Sequence, residues 1–223
     1  MQEVEPAVKR KLLIRAGALA LVVLVTGALA LRGVDVKGLI EHGMAAIRGA
    51  GPWVFFGAMA LLPVFGAPLM AFTIPAGEAF AGQMTLPGVL AATLAAIAVN
   101  LALTFGLAHL AVRPVLERLL RRFGYTVPRV TPANALSIAL LLRLTPGPPF
   151  FLQGYILSLA GIPFRIYMLV SWCCVLPWAA GAVVLGRGLF NGNFRVAGMG
   201  FSVIIAAVAV VHLIRRKVAK REG

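Results

Sequence analysis

Residues 143–151 read Arg-Leu-Thr-Pro-Gly-Pro-Pro-Phe-Phe, and they interrupt an apolar run from Ala133 to Ala160 that is otherwise suited to a membrane. Hydrocarbon offers no water to a broken backbone or to a guanidinium. A charge and three prolines persist in such a run only where protein buries them or a water-filled cavity receives them. The segment excludes an uninterrupted spanning helix here, and it is the first place to look for function.

The rest of the chain sets the context. Of its 223 residues 61% are hydrophobic and 13% charged, with a mean hydropathy of +0.94. A soluble domain carries roughly 25% charged residues, so the composition points to a polytopic, all-α membrane protein. The net charge of +14 comes from basic clusters that flank apolar runs. That is the pattern of cytoplasmic anchoring on anionic inner-leaflet lipids, not of a nucleic-acid face. Lys9, Arg10, Lys11 and Arg15 precede the apolar run Leu12–Leu31, which is long for a signal sequence and reads as a retained first helix. Residues 1–11 read as a cytoplasmic N-terminus and 12–223 as one membrane domain. Further apolar blocks cover Gly51–Phe72, Val89–Val112, Met168–Leu185 and Val196–Ile214, and Asn191-Gly192-Asn193 is strong turn material.

Counting basic residues decides the orientation. If both proline-broken blocks crossed fully, Lys and Arg would divide ten against ten between the two sides, which fixes nothing. If each block is a re-entrant hairpin returning to its own side, the arginines of 113–129 move inside and the division becomes fifteen against five. The positive-inside rule selects the second arrangement. It gives four transmembrane helices plus two re-entrant helical hairpins, at about 51–88 and 132–164, with both termini cytoplasmic. Each hairpin precedes a span, and an offset of 78 residues lays Pro68 on Pro146 and His109 on Arg187. That is the plan of an inverted-topology repeat, as in secondary transporters.

The candidate breaks are Pro75 and Gly77 in the first hairpin and Pro146, Gly147, Pro148 and Pro149 in the second. Glu78, the acidic residue within these apolar blocks, sits in the expected turn of hairpin one. An intramembrane carboxylate needs a partner, and Arg143 is the natural one if the hairpin tips meet. Arg143 can also fork onto a phosphate beside a half-helix N-terminus, or snorkel to the interface. Asn100 reads as a bond between helices and His109 as interfacial. Cys173-Cys174 reads as two small apolar residues, with a soft-metal site as the alternative. The histidines are scattered, so no metal site is expected. No nucleophile–base set or phosphate-cradling loop is present. The chain therefore reads as a non-enzyme without a cofactor.

The second hairpin carries a family resemblance. Leu142-Arg143-Leu144-Thr145-Pro146, Pro149-Phe150, Gly154-Tyr155, Leu159-Ala160-Gly161-Ile162-Pro163-Phe164-Arg165-Ile166-Tyr167, Ser171 and Leu176-Pro177 resemble the DedA superfamily, the VTT-domain or SNARE-associated Golgi family, and its Golgi-type branch in particular. Pro75-Ala76-Gly77-Glu78 resembles the family's first acidic element. The likeness covers about 51–188. Ser158, Ile162 and Tyr167 fit one family signature apart from a usual glycine at 158. Phe105 and His109 fit another with histidine in place of a cation. Gly154 stands where asparagine is common.

The resemblance implies two hairpins in inverted repeat and a translocase or scramblase of a phospholipid or polyprenyl phosphate in a bacterial inner membrane, with Glu78, Arg143 and Arg165 implicated. Proton coupling through Glu78 and a homo-oligomer remain open. Transport of a small oxyanion, or a non-transporting scaffold, are the alternatives.

Overall fold

A computed structural model describes residues 36–115, 118, 130–131, 134–145 and 148–219. The expected span Leu12–Leu31, most of the basic loop after Val115, and Pro146 and Gly147 lie outside the described residues. The chain divides into two compact units, Met1–Ala46 and Ile47–Gly223. In the first, residues 36–46 are helical, and the His42 ring nitrogen Nδ1 lies 2.6 Å from the Gly38 carbonyl one turn back. All packing described below is internal to the second unit.

The described residues form helices and no strand: α1 (Val36–Leu61), α2 (Met70–Ala79), α3 (Leu86–Leu107), α4 (Ala135–Leu144), α5 (Phe150–Leu159), α6 (Phe164–Phe190) and α7 (Phe194–Ala219). Helix α1 is broken at Gly51 (φ 78°, ψ 164°), a conformation that glycine adopts without a Cβ penalty, and Pro52 restarts it. It runs on through a 3-10 turn, Leu62–Phe65, and stops at Gly66 (φ 104°). Helix α3 starts where Thr85 accepts a hydrogen bond from the Gly88 amide, with Pro87 in the first turn. It ends in a widened π turn, Ala108–Val112. Gly192 (φ 65°) turns the chain between α6 and α7, and Asn193 caps α7 by accepting from the Val196 amide, as the Asn-Gly-Asn signal anticipates.

Among the described residues, four helices are long and apolar enough to cross a membrane: Glu41–Phe65, Leu86–Val115, Phe164–Phe190 and Phe194–Val211. Three coincide with expected spans. The first overlaps the segment assigned to hairpin one, because no proline falls between Val54 and Leu62 and Gly57 is carried within the helix. Helices α2, α4 and α5 have ten residues each. At 1.5 Å per residue each is about 15 Å long, half of a hydrocarbon core of about 30 Å.

The expected break in the first half is displaced. Pro75 and Gly77 lie inside α2, and the chain reverses at Gly66–Leu69 instead. Pro75 removes one helix donor, which a membrane helix tolerates where neighbours cover the freed carbonyl. Gly77 serves packing. A Cβ there would overlap the Val183 carbonyl oxygen of α6, and a Cβ at Gly186 would overlap the Ile74 carbonyl oxygen of α2. A second glycine seam joins α6 to α7: side chains at Gly188 and Gly200 would strike the backbones of Ala197 and Leu185. Small residues at such seams let apolar helices approach backbone to backbone, which supplies dispersion that lipid cannot. Helix α6 is thereby the centre of the unit and also packs on α3 and α4. Between these helices lie the buried Met59, Ile97, Leu101, Leu157, Ile162 and Tyr167. Asn100 on α3 donates to the Ala60 carbonyl at 3.0 Å, the interhelical bond its sequence position suggests.

Candidate functional site

Helix α4 must end before Pro146, because the residue preceding a proline is pushed out of the helical region. Thr145 is accordingly extended (φ −80°, ψ 118°). This leaves Arg143 in the last turn of α4, facing the start of α5. The break is held by side chains. Thr145 donates through Oγ1 to the Leu141 carbonyl, and buried Gln153 donates from Nε2 to the carbonyls of Thr145 (3.3 Å) and Pro148 (3.1 Å). These acceptors lack helix partners, and burial makes their satisfaction necessary.

Arg143 is gripped rather than free. Its Nε donates to Ser171 Oγ at 2.9 Å and its Nη1 to the Phe150 carbonyl at 3.1 Å. The guanidinium carbon lies 4.5 Å from the centroid of the Phe150 ring and 5.5 Å from that of Tyr167. Its Nη2 and the fully buried Tyr167 hydroxyl have no hydrogen-bond partner beyond each other. The two atoms converge: a Cβ built on Gly154 would lie 3.1 Å from the Tyr167 hydroxyl and 3.7 Å from Arg143 Nη2. The same Cβ would meet Thr104 Cγ2 at 2.9 Å, so Gly154 lets α5 pack closely here.

Arg143 also lines a cavity of about 750 Å³. Its wall combines the reversal at Gly66–Leu69, Met70 and Thr73 of α2, Phe150 and Phe151 of α5, and one face of α6 that carries Cys174 and Trp178. Arg143 is the one charged residue among the described residues that line it, and most of the surface is apolar. The first turn of α5, whose amides lack intrahelical acceptors, faces the same space.

Glu78 is not part of this arrangement. Its Oε1 pairs with Arg48 Nη2 at 3.3 Å and its Oε2 accepts from Asn191 Nδ2. The expected pairing with Arg143 does not form. Glu78 sits at the C-terminal end of α2, whereas the cavity meets the N-terminal end at Met70 and Thr73, more than one turn away. Arg165 is exposed in the first turn of α6 and does not line the cavity. Of the expected breaks in the second half, Pro148 and Pro149 line the cavity and Pro149 precedes α5.

The family-signature positions gather beside the site. Ser158 donates to the Phe105 carbonyl at 3.2 Å, at the point where α3 widens into its π turn. The Phe105 ring lies 5.1 Å from that of Tyr167 and stacks on His109 at 5.8 Å and 7°. Buried Ile162 belongs to the same core, while His109 is exposed. Pro177 lies within α6, next to the cavity residue Trp178. The hydroxyl of Ser158 thus has a role that a glycine could not fill.

Two residues of the site escape the sequence reading, Gln153 and Trp178, and the grip of Ser171 on Arg143 was not expected. The signal was available for Gln153, since an amide inside an apolar run needs partners as much as Asn100 does. Cys173 and Cys174 are free, and among the described residues no group of three or more His, Cys, Asp or Glu could hold a metal. No protein family, curated protein or solved structure matches this chain.

Proposed function

We propose that this chain is an integral membrane transport protein that carries a phosphate-bearing lipid headgroup past the centre of the bilayer, in the manner of the DedA/VTT family it resembles. The observation that carries the reading is Arg143, the one charged residue among the described residues that line a largely apolar cavity of about 750 Å³. A guanidinium beside a helix N-terminus attracts phosphate, and apolar walls of that extent suit the acyl or prenyl part of the same molecule. The half-length helices α2, α4 and α5 support two re-entrant elements, because none of them can cross alone. Both termini and the basic loop after Val115 then face the cytoplasm of a bacterial inner membrane, where anionic lipids hold them.

In this reading Arg143 engages the phosphate, held in place by Ser171 and the Phe150 carbonyl. Glu78 acts apart from it, closing the end of α2 against Arg48 and Asn191. Proton coupling, if present, acts through that distant cluster and not by competition for Arg143.

The test is movement of labelled phospholipid and polyprenyl phosphate in liposomes holding the purified chain, with and without a proton gradient. Arg143→Ala should abolish movement while the protein still elutes as a folded species. Wild-type rates in Arg143→Ala would sink the proposal. Movement of inorganic oxyanions but no lipid would favour a small-anion transporter. Loss of folding with no transport by the wild type would favour a scaffold.

A further inference from the structure

Resting on that reading only for the chain's place in the bilayer, we infer that the cavity opens sideways into hydrocarbon and lodges one anionic bilayer lipid, its headgroup end at Arg143 and its chain running along α6 towards Ala182. Depth comes from α6. At 1.5 Å per residue, Trp178 lies about 21 Å along a helix of about 40 Å, so the wall it belongs to sits near mid-membrane. Among the described residues that line the cavity, Pro68, Met70 and Pro149 are exposed. They lie at the reversal before α2, at the start of α2 and at the break before α5. Elsewhere these segments close on each other. A Cβ on Gly66 would lie 3.4 Å from the Phe151 ring, and the Tyr155 hydroxyl donates to the Val64 carbonyl at 3.2 Å.

The exposed rim suits lipid rather than water. Irregular backbone faces hydrocarbon only where its donors are satisfied. Pro68 and Pro149 have no N–H to satisfy. The amides of Gly66, Ala67, Ala71, Phe72 and Thr73 all donate to carbonyls between Leu62 and Leu69. A water-borne anion would have to cross half of the hydrocarbon to reach this rim, whereas a lipid already lies beside it.

The two ends of the cavity differ. Arg143, which bonds to Ser171, lies with the first turn of α5 and Cys174 at the end nearer Phe164. The α5 amides there lack intrahelical acceptors, and beside a guanidinium they favour an anion. From Cys174 the cavity follows α6 for about 12 Å to Ala182. That end is walled by Met70, Ala179 and Ala182, with the Thr73 hydroxyl and no charge. An anionic amphiphile matches both ends. A free oxyanion would leave the apolar end empty, and an uncharged chain would leave the cation unmatched.

This placement makes a prediction that contact with bulk lipid does not. Bulk lipids bring the ends of their chains to mid-membrane. A lipid held with its headgroup at Arg143 instead sets the upper part of its chain beside Trp178. The full chain is reconstituted in phosphatidylcholine vesicles with a minor share of phosphatidylglycerol, brominated either at the headgroup end of its chains or near their terminal methyls. Bromine quenches indole fluorescence on contact, and the difference between wild type and Trp178→Phe isolates Trp178 from Trp53 and Trp172.

Loss of Trp178 emission should be greater with bromines at the headgroup end. Brominated phosphatidylglycerol should quench more than phosphatidylcholine brominated at the same place and share, and aqueous iodide should quench least. Arg143→Gln should give the chain-end pattern of bulk lipid. Arg143→Lys keeps the charge and should keep the headgroup-end pattern, which separates the effect from a folding defect. Stronger quenching of the wild type by chain-end bromines means that only bulk lipid touches the rim, and overturns the inference. Equal quenching by the two headgroups, or an unchanged pattern in Arg143→Gln, overturns the anionic end. Quenching by iodide and by neither lipid overturns the sideways opening. None of these results decides the proposed function, which is read separately from lipid movement in Arg143→Ala.

Discussion

Replacing Gly186 by alanine tests whether a backbone-to-backbone seam holds α2 against α6, and through it the cavity wall. The new Cβ would overlap the Ile74 carbonyl oxygen and sit 2.7 Å from its carbon. Ordinary carbon contacts begin near 3.5 Å, so the helices must part by roughly 1 Å. Neither side of the contact is a flexible side chain that could swing away. Overpacking of this kind destabilises by about 1–3 kcal/mol. Gly77→Ala, which meets the Val183 carbonyl in the same seam, should have a similar effect. Once one substitution has parted the helices, the second finds room already made, so the double variant should cost clearly less than the sum of the two singles. Gly106→Ala is the control of opposite sign. It lies inside α3 with nothing within 4 Å of its Cβ, so alanine should stabilise by about 0.5–1 kcal/mol through lost unfolded-state entropy. Thermal unfolding in detergent, followed by fluorescence-detected size exclusion, reads all four proteins. Unchanged stability in Gly186→Ala, or a fully additive double variant, would refute the seam. Because α2 and α6 both line the cavity, the seam variants should also slow lipid movement in the liposome test, whereas Gly106→Ala should not.

Other expectations follow from the polar contacts. A double-mutant cycle between Glu78→Gln and Arg48→Gln should show coupling, but no more than about 1 kcal/mol, because the Arg48 side chain is 49% exposed and water screens the pair; a cycle between Glu78 and Arg143 should show none. Asn100→Leu should destabilise by about 0.6–2 kcal/mol, the range for interhelical bonds in membranes, and an unchanged melting temperature would exclude a bond to Ala60. Ser171→Ala leaves Arg143 Nε without its acceptor in a buried position, which costs about 1–3 kcal/mol, while Ser171→Thr should recover most of it. A single cysteine placed at Arg121 should react with impermeant maleimide only from the cytoplasmic side; labelling from outside would overturn the hairpin topology.

Much of the helix map was legible in the sequence. The spans at 89–112, 168–185 and 196–214, the turn at Asn191-Gly192-Asn193 and the break around Pro148-Pro149 follow from hydropathy, length and proline sterics, all of which act locally. Arg143 announced itself because a charge in hydrocarbon is anomalous wherever it sits. Among the prolines and glycines of the first half, Gly66 ends a helix whereas Pro75 and Gly77 do not, because membrane helices accommodate both when a neighbour comes close.

Partner choice was a different matter. Helices such as α3 and α6 are apolar on every side, so no polar face tells which residues turn inward. Gly77 meeting Val183, Glu78 meeting Arg48 and Asn191 rather than Arg143, and Tyr167 meeting Arg143 all depend on how each helix is rotated about its axis. Dispersion and close glycine contacts between distant segments set that rotation. The sequence by itself therefore determined that this is a helical membrane protein with a cation where none is cheap. Only the tertiary structure decided which groups grip that cation: Ser171, the Phe150 carbonyl and the ring of Tyr167.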